Sequence, residues 1–251
     1  MINSVRNTVL AILNKNNYGY ISPQDFNLYA KQAQLDLFED YFYQYNYQVN
    51  KENARQSGTG YADIKKGYEE VIDLFSVFLP LNFVASQFYN MPSVATTASD
   101  YYFINKVLFT PSQAAGTGVL ATDFVEVEKV THKKINLLRS SLLTAPNETY
   151  PAYTTEGDLL TVFGPTGLVQ NSIWCQYIRY PRDPQWTYTT LTGGEPVFNQ
   201  SNPSFQDFEL PLDDEYNLVS KILQFAGMSI REVTAVQFGG QLETLENTEE
   251  K

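Results

Sequence analysis

The hydrophobic period of this chain changes twice, and that restricts its fold more than any single motif does. Near the start, Val5, Val9, Leu10, Ile12 and Leu13 recur at helix spacing and predict a short amphipathic helix over residues 3–14. After a loop from Asn14 to Ile21, Ser22-Pro23-Gln24-Asp25 reads as a helix start. Ser caps, Pro suits the first helical position and Asp meets the positive end of the dipole. Phe26, Ala30, Ala33, Leu37, Tyr41 and Tyr45 then share one face of a helix expected over 23–48. Gln56-Ser-Gly-Thr-Gly60 is a polar break. Tyr61, Ile64, Tyr68, Val71, Phe75 and Phe78 predict a third helix, stopped by Pro80.

In the middle the period shortens. Phe83–Met91, Tyr101–Phe109 and Phe124–Val130 are rich in aromatic and β-branched residues and bounded by Pro and Gly, as strands are. Thr131–Leu143 interrupts them with one short helical stretch. Tyr150–Thr155, Asp158–Phe163 and Ser172–Tyr180 predict three more strands, the first two joined by a tight turn at Glu156-Gly157. Residues 181–211 are loop-rich, with prolines at 181, 184, 196, 203 and 211. Helical spacing returns at Tyr216, Val219, Ile222, Leu223 and Ala226. Asp213 or Asp214 is the expected cap, Gly227 the expected close, and Ser229-Ile-Arg-Glu232 opens a last helix. Glu246–Lys251 reads as an acidic tail. Helices, then a mainly antiparallel β region with one short helix, then helices again describe an α+β protein. The expected regions are 1–80 (helical), 81–211 (β-rich, carrying the Pro-rich segment) and 212–251 (C-terminal helices and tail).

Composition removes whole classes of function. The 251 residues carry 17 Lys+Arg against 28 Asp+Glu, a formal net charge of −11. An acidic surface repels phosphate backbones, and no long basic run opposes it, so a nucleic-acid reader is not expected. One cysteine (Cys175) allows neither an internal disulfide nor a thiolate zinc cage, and any His-based site would rest on His132 alone. The longest apolar stretch, Leu74–Ala85, is broken by Ser76, Pro80 and Asn82 and falls short of the ~20 residues of a membrane span. The first residues lack the apolar core of a signal peptide, so the expected compartment is the cytoplasm.

Several motifs invite a chemical reading and do not support it. Asn14–Asp25 has the Gly and Ile of an EF-hand loop, but Asn, Asn and Tyr stand at its first, third and fifth positions and only Asp at its twelfth. A helix–loop–helix corner explains it better. Ala115-Gly116-Thr117-Gly118 lacks the Lys and helix start of a phosphate loop and reads as a hairpin tip. His132, before Lys133 and Lys134, has no local nucleophile or orienting acid and is expected at the surface. Cys175 alternates with Ile173 and Tyr177 as a buried small hydrophobe. Glu126 and Glu128 sit two apart, on the solvated side of a strand, not as a glycosidase pair. No catalytic, cofactor-binding or metal-ligating residue is therefore assigned.

The 36 aromatic residues (18 Tyr, 16 Phe, 2 Trp) set among few charges suit a protein–protein interface, and they also suit a sugar-stacking surface. Pro181 and Pro184 end a strand and turn residues 181–211 aside. Either that segment is an extended arm, with Trp186, Tyr188, Phe198 and Phe205 as anchors in a neighbour, or it is a loop tucked onto its own domain. On the arm reading, deleting 185–208 leaves the thermal transition nearly intact.

Tyr177-Ile-Arg179-Tyr-Pro181-Arg-Asp-Pro184-Gln-Trp186 follows Ala145-Pro146, Tyr150-Pro151 and Phe163-Gly-Pro165. With Gly19-Tyr20-Ile21-Ser22-Pro23 near the start and Leu218-Val219, Ile222-Leu223, Ala226-Gly227 and Ile230-Arg231 near the end, the pattern resembles structural proteins of tailed phages. It is most similar to the ring proteins of the head-to-tail connector of crAss-like phages, which stack beneath the portal. The resemblance covers most of the chain. It implies a non-enzymatic virion subunit, assembled in the host cytoplasm, in a homo-oligomeric, dodecameric ring. The implied partners are the portal, a further ring or tail protein, and DNA sliding through the channel without specific binding during genome ejection. No membrane contact and no cofactor are implied. A carbohydrate- or cell-surface-binding module is the alternative and requires exposed aromatic platforms on the β region. A hydrolase would require His132 in a cleft among carboxylates.

Overall fold

The computed structural model describes residues 1–13, 21–53, 62–94, 100–110 and 124–230. The EF-hand-like loop (14–20), the break at 56–60, the glycine pair at 116–118, and the last helix beyond Ile230 with its acidic tail lie outside the described residues. The architecture is α+β: helices at both ends and a central, mainly antiparallel β region with one short helix. The chain divides into two compact units, residues 1–72 with 181–251 and residues 73–180. That division differs from the three expected regions, because the first helices, the Pro-rich segment and the helix Glu215–Ile230 fall in one unit.

In the helical unit, α1 (Ile2–Leu13), α2 (Pro23–Asn53) and α5 (Glu215–Ile230) meet along apolar faces. Ile2, Val5, Val9 and Leu13 supply one face, Phe26, Ala30, Ala33, Leu37 and Phe38 the second, and Leu218, Val219, Ile222, Leu223 and Ala226 the third. Ser22 caps α2, its Oγ accepting from the Asp25 N–H at 3.1 Å and donating to the Asp25 carboxylate at 2.6 Å. Leu212–Asp214 is a 3₁₀ turn leading into α5, and α5 runs through Gly227, the expected close, to Ile230. The third helix, α3 (Ala62–Asp73), stops short of Pro80. Ser76–Pro80 is a strand because its backbone pairs with residues nearly a hundred positions later, and that non-local pairing overrides a helical spacing.

Among the described residues the β unit holds nine strands: β1 Ser76–Pro80, β2 Asn82–Ala85, β3 Phe88–Asn90, β4 Tyr101–Phe109, β5 Val125–Glu126, β6 Glu128–Lys129, β7 Ala152–Glu156, β8 Leu159–Phe163 and β9 Ile173–Arg179. Phe83–Met91, expected as one strand, is thus the hairpin β2–β3. Two sheets form, ordered β1-β9-β4-β5 and β2-β3-β8-β7-β6; every pairing is antiparallel except β6 with β7. The edges of the two sheets are continuous. Leu81 joins β1 to β2 while its N–H donates to the Ile173 carbonyl at 2.9 Å, and Val127 joins β5 to β6 while donating to Val107 at 2.9 Å. At these two corners the chain passes directly from an edge strand of one sheet to an edge strand of the other, so Leu81 and Val127 join the two sheets.

Leu81, Tyr89, Met91, Val107, Phe109, Val127, Tyr153, Leu160, Val162, Ile173, Cys175 and Tyr177, drawn from both sheets and their joints, form one buried cluster. The short helix α4 (His132–Arg139), capped by Thr131, covers the outer side of β7 and β8. There Ile135 and Leu138 meet Ala152 and Phe163. The helical stretch expected to reach Leu143 ends at Arg139, because the Ser140 N–H bonds back to Leu137 and Leu138. In the helical unit, β10 (Tyr188–Thr190) and β11 (Pro196–Phe198) form an antiparallel hairpin within the Pro-rich segment.

Candidate functional site

The four aromatic residues expected as interface anchors do come together, inside the helical unit. Trp186 stacks on Tyr188 and on Phe198 at centroid distances of 5.7 and 5.9 Å, and Phe205 meets Phe198 edge-on at 5.7 Å. The Arg6 guanidinium lies 3.8 Å over the Trp186 ring. The Trp186 indole N–H donates to Asn3 Oδ1 at 3.1 Å, and Asn27 holds its backbone on both sides, at 2.8 and 3.3 Å. Trp186 is 2% exposed, while Tyr188, Phe198 and Phe205 are half-buried. Of the two readings of residues 181–211, the geometry is that of the packed loop. An indole with both faces and its N–H engaged has nothing left with which to anchor a neighbour.

Further bonds fasten the segment. Gln34 Nε2 donates to the Arg182 carbonyl and its Oε1 accepts from the Glu209 N–H, at 2.8 and 3.1 Å. Asp207 Oδ1 accepts from the Ile2 N–H at 2.7 Å, and Lys31 pairs with Asp183 at 2.7 Å. Gln185 and Gln206 bridge the base of the excursion. Its exposed part is the hairpin tip, where Leu191 and Val197 face solvent.

The residues weighed for chemistry stay apart. His132 is exposed on α4, its Nε2 3.1 Å from the Thr155 carbonyl. Glu126 and Glu128 flank the buried Val127 on the solvated side, and Glu126 pairs with Lys106 at 3.8 Å. Asp214 is buried where Tyr41 Oη donates to it and Asn217 Nδ2 lies 3.5 Å away; burial raises its pKa from the ordinary value against the pull of those bonds. Among the described residues, no three of His, Cys, Asp and Glu are grouped to hold a metal ion, and no helix is long and apolar enough to cross a membrane.

Cys175 lies in the centre of the β cluster, and burial pushes its thiol up to about 12 from an ordinary 9. At pH 8 roughly one thiol in 10⁴ is therefore ionised in the folded chain, too few to react. A chromogenic disulfide should leave the native protein unlabelled over an hour at pH 8 and label one thiol per chain at once in guanidinium. Rapid native labelling would remove Cys175 from the interior. The same shift ties stability to pH. The unfolded thiol ionises near 9 and the folded one does not, so stability falls as pH rises from about 9 toward 12, by up to about 4 kcal/mol from this group.

Sequence reasoning missed three surface features. On the outer face of the four-stranded sheet, Phe78 stacks on Trp174 at 5.0 Å, and Phe124 meets the two rings at 5.8 and 6.2 Å. Strand alternation marks it: Ile173, Cys175 and Tyr177 point inward, so Trp174 points out. The second is the turn after α4, where Leu142 and Leu143 are fully exposed beside exposed Leu137 and Tyr150. The third is a groove of about 450 Å³ in the helical unit, between α1 and the start of α5. Its walls and floor are Ile12, Tyr216, Val219 and Leu223, with Thr8, Asp213 and Glu215 at the rim.

No protein-family model matches this chain, and no curated protein matches it.

Proposed function

We propose that this chain is a structural, non-enzymatic virion subunit that assembles into a ring in the head-to-tail connector or tail of a phage. In this role it joins the portal to the tail and surrounds the DNA channel. The carrying observation is the pair of exposed apolar surfaces, the Leu142–Leu143 turn and the Phe78–Trp174–Phe124 face. Large apolar side chains presented this way mark places where another protein packs. The net charge of −11 agrees with the role, since an acidic channel lets DNA pass without holding it.

The aromatic face also favours the second reading, a carbohydrate-binding module. Its geometry weighs against that. Phe78 and Trp174 stack on each other with their planes 25° apart, and the Trp174 indole N–H is already spent on the Asn171 carbonyl at 3.1 Å. A sugar platform needs a free ring face with polar groups beside it.

Mass photometry and negative-stain imaging test the proposal, on the chain alone and mixed with a portal protein and with tail proteins from the same genome. Closed rings of about twelve copies, alone or on the portal, are the expected result. A chain that stays monomeric in every mixture and binds glycans would replace the ring by the carbohydrate module.

A further inference from the structure

We infer that the Leu142–Leu143 turn of one copy inserts into the Ile12–Tyr216–Val219–Leu223 groove of a second copy, and that this contact builds the assembly. The inference deepens the ring reading and rests on it.

The turn has the properties of a preformed knob. The Ser140 Oγ donates to the Asn136 carbonyl at 2.8 Å and Thr144 Oγ1 to Leu138 at 3.3 Å, and the Ala145 N–H reaches back to Ser141 at 3.0 Å. These bonds tie the turn to the end of α4, so little order is lost when it docks. Leu142 and Leu143 nevertheless leave their side chains wholly in water. Removing two leucines from water is worth about 3–6 kcal/mol. No packing within the β unit draws on that gain.

The groove has the matching chemistry, apolar within and acidic at the rim. Charge selects this chain itself as the partner. Lys133, Lys134 and Arg139 are exposed on α4, the helix that leads into the turn, Lys129 is exposed just before it, and no acid occurs between residues 129 and 147. In a chain of net charge −11 this is an unusual island of positive charge. Asp213 and Glu215 stand at the groove's edge. An apolar knob carried on a basic helix suits an apolar groove also lined by two acids, and the opposed charges steer the two together.

Knob and groove are different patches of the same chain. Each copy offers one of each, and repetition gives a ring if the rotation closes and a filament if it does not. A reciprocal pair, each knob in the other copy's groove, is the competing closed form, and the ring reading has the contact run in one direction round the assembly.

The test places one cysteine on each side of the contact, Leu142→Cys and Tyr216→Cys in the same chain. Both positions are exposed, and the native Cys175 is buried. Mild oxidation at high protein concentration should give a ladder of covalent multimers on a non-reducing gel. Each single variant should give no ladder, and Leu142→Asp in the double variant's place should abolish oligomers without moving the thermal transition. Monomers closed on themselves or no cross-link would overturn the contact, and dimers alone would overturn the ring built on it. Rings seen by imaging without a ladder would sink this contact and keep the ring reading. Absence of both would sink the two together.

Discussion

Trp186→Ala should destabilise the helical unit by about 3–5 kcal/mol, the usual cost of emptying a buried Trp site. Three losses combine. The ring gives up its stacking on Tyr188 and Phe198 and its contact with the Arg6 guanidinium. Asn3 loses the indole N–H that its side-chain oxygen accepts, and a partly buried acceptor left without a donor costs about 1–3 kcal/mol more if water does not reach it. The cavity lies where α1 meets the Pro-rich segment, so both should loosen. In a unit of this size each kcal/mol is worth about 2–4 °C, so the helical transition, followed by far-UV circular dichroism, should fall by about 10 °C. Leu191→Ala at the exposed hairpin tip should change it by less than about 0.5 kcal/mol. If Trp186→Ala behaves like Leu191→Ala, the segment is the detachable arm after all. Deletion of 185–208 should follow Trp186→Ala, the opposite of what an arm would do.

That contrast shows where the sequence was readable. Helix faces were, because they are local: Phe26, Ala30, Ala33 and Leu37 are all buried on α2, as their spacing predicts. The strand Tyr101–Phe109 has its expected limits, and the alternation at Cys175 put that residue in the interior. What failed was decided by partners far away in the chain. Phe75 and Phe78 continue a helical spacing, yet Ser76–Pro80 pairs with β9. Trp186 looks like a surface anchor among prolines until Asn27, 159 residues earlier, holds its backbone. The candidate site was hidden for a related reason. Reading Thr131–Leu143 as one helix assigned Leu142 and Leu143 to a helix face, whereas the stop at Ser140 turns them into solvent. The groove is assembled from residues about 200 positions apart, and no local pattern announces it.

Gly164→Ala should be the most damaging single-methyl change in the β unit, at about 2–6 kcal/mol. Gly164 follows β8 with φ +113, a conformation that L residues rarely adopt and that costs about 1–3 kcal/mol where they are forced into it. A Cβ there would also stand 2.7 Å from the Asn147 carbonyl oxygen and 2.8 Å from its nitrogen. Both are backbone atoms, so no rotamer change relieves the overlap, and overpacking adds about 1–3 kcal/mol. Asn147 has little freedom to retreat, because its side chain accepts from the Thr149 and Tyr150 N–H groups at 2.9 Å each. Gly157, at the β7–β8 turn with φ +57, is the control: nothing lies within 4 Å of its would-be Cβ, so Gly157→Ala should cost only the strain of the turn, about 1–2 kcal/mol. Urea midpoints of the two variants decide the matter, and equal losses would mean that the close approach to Asn147 is not real. The comparison reaches function as well. Asn147 lies four residues after Leu143 and beside Tyr150, so a chain that yields to the new methyl must move the turn that carries the knob. Gly164→Ala, at temperatures where it stays folded, should therefore weaken the 142–216 cross-link, while Gly157→Ala leaves it intact.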